Sequence, residues 1–260
     1  MTPYETPASP RTAPHHPHSL YGSPGGYPAR RRADPNSRVH PGPNRSAHPA
    51  DALTPEEKIG QLFIIRPDAL DLTLPQETIN DAKADGVTML TDAMRETLQA
   101  YPVGGICQFG KNITDPEQLA QFNADLQAAS RTPLFIAVDE EGGAVARLAN
   151  HPAFDLPQYE SAAAVGASGD PADACAMGQT IGAYLKEYGF NMDFAPDADV
   201  NTNPDNPIIG TRAFSSDAAT AAEMAAAAAD GLRTPAASCR RSSISPATVI
   251  PLRTATPRWP

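Results

Sequence analysis

Pro133-Leu-Phe-Ile-Ala-Val-Asp-Glu-Glu-Gly-Gly-Ala-Val-Ala-Arg147 is the stretch that decides how the rest of the chain is read. Leu134 to Val138 is an unbroken apolar run, the pattern of a parallel strand buried on both faces. The run ends in three consecutive carboxylates, Asp139, Glu140 and Glu141. Adjacent acids at a strand end are costly unless water or specific partners engage them. Gly142 and Gly143 then let the backbone turn sharply and come close to a ligand. Asp139 is suited to accept hydrogen bonds from ligand hydroxyls, such as those of a sugar. The alternative reading of the segment is a solvated acidic turn.

Strands and helices alternate on either side. Thr54 is a good N-cap, Pro55 suits the first helical position, and Glu57 completes a capping box. Gln61 to Arg66 reads as a short buried strand, Thr91 to Ala100 as a helix, and Val103 to Phe109 as a second strand. Thr114-Asp-Pro-Glu117 opens a helix, with a cap, proline at its first position and Glu at N3, that runs to about Ser130. Pro133 to Asp139 is the third strand. Pro171 to Tyr188 is helical and Gly189 ends it. Phe190 to Pro196 reads as a fourth strand, and Asp217 to Gly231 as an alanine-rich helix. Such alternation implies βα units and a parallel sheet, met by either a (β/α)8 barrel or a doubly wound sheet. No G-x-G-x-x-G follows a strand, which weighs against a dinucleotide fold.

In a barrel, functional groups gather at the C-terminal ends of the strands. Arg147 follows the acidic turn, and Arg212 lies in Ile208-Ile-Gly-Thr-Arg-Ala-Phe214 on the loop after the fourth strand. Both loops open at that one face. An arginine can fix a hydroxyl, carbonyl or carboxylate with rigid donors, although either is also a candidate for a plain surface ion pair. Asp193, Asp197 and Asp199 cluster near the end of the fourth strand. They offer oxygen ligands to a divalent cation but lack EF-hand spacing, and hydrogen bonding of Asp199 and Asn201 to loop backbone is the favoured reading. Asn203-Pro-Asp-Asn-Pro207 reads as a rigid turn.

Composition bounds the remaining possibilities. The chain has 260 residues, 41% hydrophobic, with a formal net charge of -10 and a pI of about 5.0. That charge disfavours nucleic acid and anionic membrane as partners. Cys107, Cys175 and Cys239 are widely spaced and odd in number, which suggests ordinary thiols rather than a disulfide framework or a metal site. No apolar run is long enough to span a membrane. The first residues lack the basic and apolar regions of a secretory leader, so the sequence reads as cytoplasmic. Residues 1 to about 52 are proline-rich, with His15, His16, His18, His40 and His48 and the run Arg30-Arg31-Arg32, and are expected to be disordered. Residues 53 to about 233 form the folded unit. Residues 234 to 260 contain no Asp, Glu, Lys or His, have no period, and are expected to be unstructured.

Five pieces, in order, resemble the N-terminal barrel of glycoside hydrolase family 3. They are K-I-G-Q-L-F (58–63), V-G-G-I-C-Q-F-G-K-N-I (103–113), P-L-F-I-A-V-D-E-E-G-G-A-V-A-R-L (133–148), Y-G-F-N-M-D-F-A-P-D-A-D-V-N (188–201) and N-P-I-I-G-T-R-A-F (206–214). The D-E-E-G-G-x-V-x-R form is similar to the β-N-acetylhexosaminidase branch rather than the β-glucosidase branch. The resemblance implies a (β/α)8 TIM-type barrel of which only the N-terminal half is present. It also implies a carbohydrate substrate bound by Asp139, Arg147 and Arg212. The family further implies a retaining mechanism through a covalent glycosyl–enzyme intermediate, with no cofactor and no metal. A β-glucosidase of the same family and a non-catalytic sugar-binding module are the alternatives.

The family continues with K-H-F-P-G-H-G-D-T-x-x-D-S-H, which supplies sugar contacts and the general acid/base. No such motif occurs here, and His151, in an N-H-P turn, is the only histidine of the folded stretch. The nucleophilic aspartate is expected beyond residue 260, so no catalytic residue is assigned and this chain alone is expected to be inactive. Ser243 to Thr256 can be encoded so that reading one nucleotide earlier spells K-H-F-P-G-H-G-D-T followed by A-T-D-S-H. A frameshift near residue 234 is therefore the expected origin of the tail, with natural divergence as the alternative. Reading the DNA over codons 230 to 260 tests this: a frame encoding K-H-F-P-G-H-G is expected, and its absence rejects the frameshift.

Overall fold

Thr54 opens the first helix, α1 (Pro55–Gly60), with both halves of the capping box formed. The Thr54 N–H donates to Glu57 Oε2 at 2.8 Å and the Glu57 N–H to Thr54 Oγ1 at 3.2 Å. The reciprocal pair satisfies two of the amides that a helix start leaves without partners. Helical turns continue through Gln61, Leu62 and Phe63, whose amides donate to Glu57, Ile59 and Gly60. The strand expected over 61–66 is therefore only β1 (Ile64–Ile65). Leu62 is 81% exposed, so the apolar run there is not a buried strand face.

The computed structural model describes residues 49–233 and the strand backbone at 250–251. Next come a 3-10 turn (Pro67–Leu70), α2 (Gln76–Asn80), α3 (Asp92–Ala100) and β2 (Gly105–Cys107). These are followed by α4 (Pro116–Ala129), β3 (Phe135–Val138) and a hairpin of β4 (Glu140–Gly142) and β5 (Val145–Ala146). The remaining elements are α5 (Ala162–Gly166), α6 (Pro171–Glu187), β6 (Met192–Asp193), α7 (Ala218–Arg233) and β7 (Ile250–Pro251). The cap of α4 is Asp115, which accepts from the Gln118 N–H, so N3 is Gln118 rather than Glu117.

β1, β2, β3 and β6 pair parallel in that order, with Ile64 beside Gly105, Ile106 beside Ile136 and Ala137 beside Met192. The expected α/β architecture with a parallel sheet is therefore present. Successive side chains alternate faces. Ile106, Ile136 and Val138 enter the main core beneath the helices, with Leu119, Phe122, Leu126, Leu185 and Phe190. Cys107, Ala137 and Met192 form a second apolar cluster with Ile64, Phe109 and Phe194. Apolar residues on both faces explain why β3 reads as a continuous hydrophobic run. At the far edge β7 pairs antiparallel with β6, within a tail expected to lack structure. An open strand edge offers unpaired N–H and C=O groups to any passing segment. The rest of the tail, and the arm before Pro49, lie outside the described residues; Pro49–Ala52 forms a 3-10 turn.

Residues 67–90, left unassigned by periodicity, are held by one buried charge. Asp68 is fully buried and lies 3.3 Å from Lys111 Nζ. Asn112 Nδ2 donates to Asp68 Oδ2 at 2.9 Å, and Lys111 Nζ also donates to the carbonyls of Thr78 and Ile79. Lys111 and Asn112 thus tie the loop after β2 to the segment before it. Removing one partner would leave the other charge buried alone, which is strongly destabilising. Cys107 is a buried free thiol, whereas Cys175 is disulfide-bonded, a correction to the expectation of ordinary thiols. Wide spacing carries no signal for a bridge made only by the fold; Cys239 lies outside the described residues.

α6 and α7 pack through glycines. A Cβ on Gly178 would stand 2.1 Å from the Ala228 carbonyl oxygen, and one on Gly231 would stand 2.2 Å from that of Cys175. Both obstacles are backbone, so the helices must separate to admit a methyl group. Gly178→Ala is expected to cost about 1–3 kcal/mol, lowering the melting temperature by several degrees. Gly110, which has nothing within 4 Å of its Cβ position, is the control, and Gly110→Ala is expected to melt near wild type. Thermal denaturation of the two variants makes the comparison, and equal melting temperatures would reject it.

Candidate functional site at the end of the third strand

β3 ends at Val138, and the three following acids take three different environments. Asp139 remains partly exposed and its Oδ2 accepts from Arg147 Nη2 at 3.1 Å. Glu140 is fully buried. Its Oε2 accepts from the Leu148 N–H and its Oε1 from the Ala149 N–H, both at 2.9 Å, and Oε1 also accepts from the Tyr184 hydroxyl at 2.9 Å. Glu141 accepts two bonds from Arg212, Nε at 2.8 Å and Nη2 at 2.7 Å. The solvated acidic turn is thereby set aside, because each carboxylate has a defined partner.

The turn after the acids is the β4–β5 hairpin, which the sequence reading did not foresee. Glu140 pairs with Ala146 and Gly142 with Val145, with a register irregularity between them. Gly142 and Gly143 have φ of 84° and 65°, in the region where side chains are strained. A Cβ on Gly143 would also lie 2.9 Å from Ser161 Cα. The glycine pair is thus required by the hairpin and by the close passage of the chain at Ser161.

The two arginines differ in freedom. Arg147 donates to Asp139 through Nη2, while its buried Nε has no partner. Arg212 holds Glu141 with a fork of two parallel bonds, the strong bidentate geometry, and Nη1 reaches the Ile208 carbonyl at 3.3 Å. Each terminal nitrogen of Arg212 keeps a second N–H, and the side chain is 27% exposed. Asp197 Oδ2 stands 3.6 Å from Arg212 Nε. These carboxylates, Glu141 first, hold the Arg212 guanidinium charged and push its pKa further up. The structure therefore joins Asp139 to Arg147 directly and sets Arg212 on Glu141, two residues along the same strand end.

The aspartates after β6 do not converge. Asp193 is fully buried and its Oδ1 accepts from the Glu140 N–H at 3.0 Å. Asp197 Oδ1 accepts from the Asp199 N–H at 2.8 Å. The acceptor that shapes the loop is therefore Asp197, not Asp199 as expected, since Asp199 is exposed. Asn201 contributes its backbone N–H, donated to the Ser215 carbonyl at 3.0 Å. Asn203 closes the expected turn by accepting from Asn206 and Asp205. Among the described residues no group of three or more His, Cys, Asp or Glu is placed to hold a metal ion. His151 lies edge-on to Phe154 with ring centroids 5.6 Å apart, a packing role.

Electrostatics separate these groups. Burial raises the carboxyl pKa of Glu140, against the opposing hydrogen bonds from Leu148, Ala149 and Tyr184. Burial pushes Asp193 well above the ordinary carboxylate range, with only the Glu140 amide opposing it. Burial also raises the Cys107 thiol to about 12, which keeps it protonated.

Asp193 carries a pH prediction. A carboxyl with a raised folded-state pKa adds stability that is complete at low pH and is lost as pH rises through the folded value. Asp193→Asn keeps the acceptor for Glu140 N–H and removes the ionisation. At pH 8 it is expected to raise the melting temperature by roughly 2–4 °C, the effect of about 1 kcal/mol in a domain of this size. The gain should shrink as pH falls toward 4. Melting curves across that range check it, and a gain that grows in acid would contradict it.

The model of the Glycosyl hydrolase family 3 N terminal domain matches residues 54–244. Beta-hexosaminidase A of Pseudoalteromonas piscicida is 36% identical over 134 residues, 50% of this chain and 22% of that protein. Beta-hexosaminidase LpqI of Mycobacterium tuberculosis is 30% identical over 230 residues, 82% of this chain and 49% of that protein. The chain thus spans half or less of these relatives. Among solved structures, a family 3 β-N-acetylglucosaminidase from Paenibacillus shares 34% identity with a TM-score of 0.55, over 70% of this chain and 31% of that one. The β-N-acetylhexosaminidase of Beutenbergia cavernae shares 30% identity with a TM-score of 0.56, over 70% of this chain and 51% of that one. A family domain matched over residues 54–244, all of the folded stretch, means that this chain belongs to glycoside hydrolase family 3.

Proposed function

We propose that the chain is the sugar-binding half of a retaining glycoside hydrolase that removes terminal β-linked N-acetylhexosamine. The observation that carries this reading is the Asp139–Arg147 pair, 3.1 Å apart and partly open to solvent at the end of β3. An acceptor and a multi-donor side by side can bracket a diol or an acetamido group, and Arg212, seated on Glu141 from the loop after β6, adds N–H donors. The named activities of the relatives fit it. The strand order supports the half of a (β/α)8 barrel, because β1, β2, β3 and β6 each add beside the previous one. A doubly wound sheet would reverse direction at a switch point.

A second reading, sugar binding without hydrolysis, is favoured for these 260 residues by their sequence, which contains no K-H-F-P-G-H-G motif. Glycoside hydrolysis needs a positioned acid/base and a nucleophile. Glu140, Glu141 and Asp193 are buried and engaged, which leaves them unsuited to either role.

Titration calorimetry with N-acetylglucosamine tests the site. Binding heat is expected from the wild-type chain and a weaker response from glucose. Arg147→Ala and Asp139→Ala should each lower the affinity about 10–100-fold, the worth of a charged hydrogen bond. A wild-type chain that gives no heat sinks the sugar-binding reading. Turnover of a chromogenic N-acetylglucosaminide by this chain alone would overturn the non-hydrolytic one.

A further inference from the structure

We infer that Glu140, with Tyr184 behind it, is the positioning residue of the sugar site: its buried carboxylate gathers the backbone at Leu148 and Ala149, directly after Arg147, and so fixes the Arg147 guanidinium against Asp139. The inference rests on the sugar-binding reading of that pair. Glu140 cannot itself touch a ligand, since it is fully buried. Both of its oxygens are engaged, by Leu148 N–H, Ala149 N–H and the Tyr184 hydroxyl, each at 2.9 Å. Successive amides converging on one anion form a nest, which locks the chain direction through those residues.

The clamp has two anchors. The Glu140 N–H donates to Asp193 Oδ1 at 3.0 Å, tying it to β6. Tyr184, itself buried on α6, ties the carboxylate to the helix layer. Arg147 then leaves β5 with its Cα placed by the nest on one side and by the Glu140–Ala146 pairing on the other. Its side chain makes a single hydrogen bond, to Asp139, so one contact cannot set its position and the backbone clamp must. An amide at residue 140 would keep one acceptor oxygen and turn a donor toward one of the converging N–H groups, so the charge and both oxygens are needed.

Three variants of the whole chain test the assignment: Glu140→Gln and Tyr184→Phe, with Gly178→Ala as the control. Each is measured for N-acetylglucosamine affinity, for the NMR signal of the Arg147 side-chain Nε–H (identified with Arg147→Lys), and for melting. Glu140→Gln is expected to melt cooperatively, bind about tenfold or more weakly, and shift or broaden the Arg147 signal. Tyr184→Phe should do the same to a smaller degree. Gly178→Ala loses stability at the α6–α7 contact and touches none of the clamp's hydrogen bonds, so it should leave affinity and signal unchanged. The assignment is overturned if Glu140→Gln leaves the Arg147 signal and the affinity at wild-type values, or if Gly178→Ala alters them equally. Should the wild-type chain bind no sugar, the functional reading fails alone, and the Arg147 signal still decides the positioning role.

Discussion

A parallel strand covered on both faces can carry polar side chains only where it ends. β3 has the helix-side core on one face and the Cys107–Ala137–Met192 cluster on the other. Its polar residues are therefore confined to the positions just after Val138. The site, the hairpin and the loop geometry all follow from that confinement. Three acids arrive together, and the structure sorts them by what each can reach: Asp139 toward solvent and Arg147, Glu140 into the protein, Glu141 toward Arg212.

Sorting of this kind is energetically demanding. Burying a carboxylate is unfavourable unless hydrogen bonds replace its water. Glu140 offsets the loss with two backbone amides and a phenol. Asp193 has a single donor, and burial pushes its pKa well above the ordinary carboxylate range. Glu141 takes a bidentate arginine, the arrangement that leaves least unsatisfied. The same logic operates at Asp68, where Lys111 and Asn112 serve a buried charge and at the same time fasten the long segment before β2. Each buried acid thus joins segments distant in sequence.

Much of this was legible in advance because it is local. The capping box at Thr54 and Glu57, the helix at Pro171, the apolar run of β3 and the glycine pair are decided within a few residues, and the structure contains all of them. The acidic strand end was recognised as the candidate site, and Arg147 does meet Asp139. What was not legible depends on long-range partners. Whether Glu140 faces water or Tyr184 is set by a helix 44 residues away. The run at Leu62 resembles a strand in composition, yet the helix before it continues through that turn. The acceptor in the loop after β6 is Asp197 rather than Asp199, because only Asp197 is turned inward beside Arg212.

The sequence by itself determined the family, the alternation of strands and helices, and which strand end is the candidate site. Those properties live in residue order and short-range periodicity, which neither packing nor solvent can rearrange. Only the tertiary structure decided which acid faces outward and which inward, and which arginine makes one contact and which is held by two. Three neighbouring carboxylates are chemically alike along the chain. They become different only when folding gives one of them water, one a nest of amides with a phenol, and one a guanidinium.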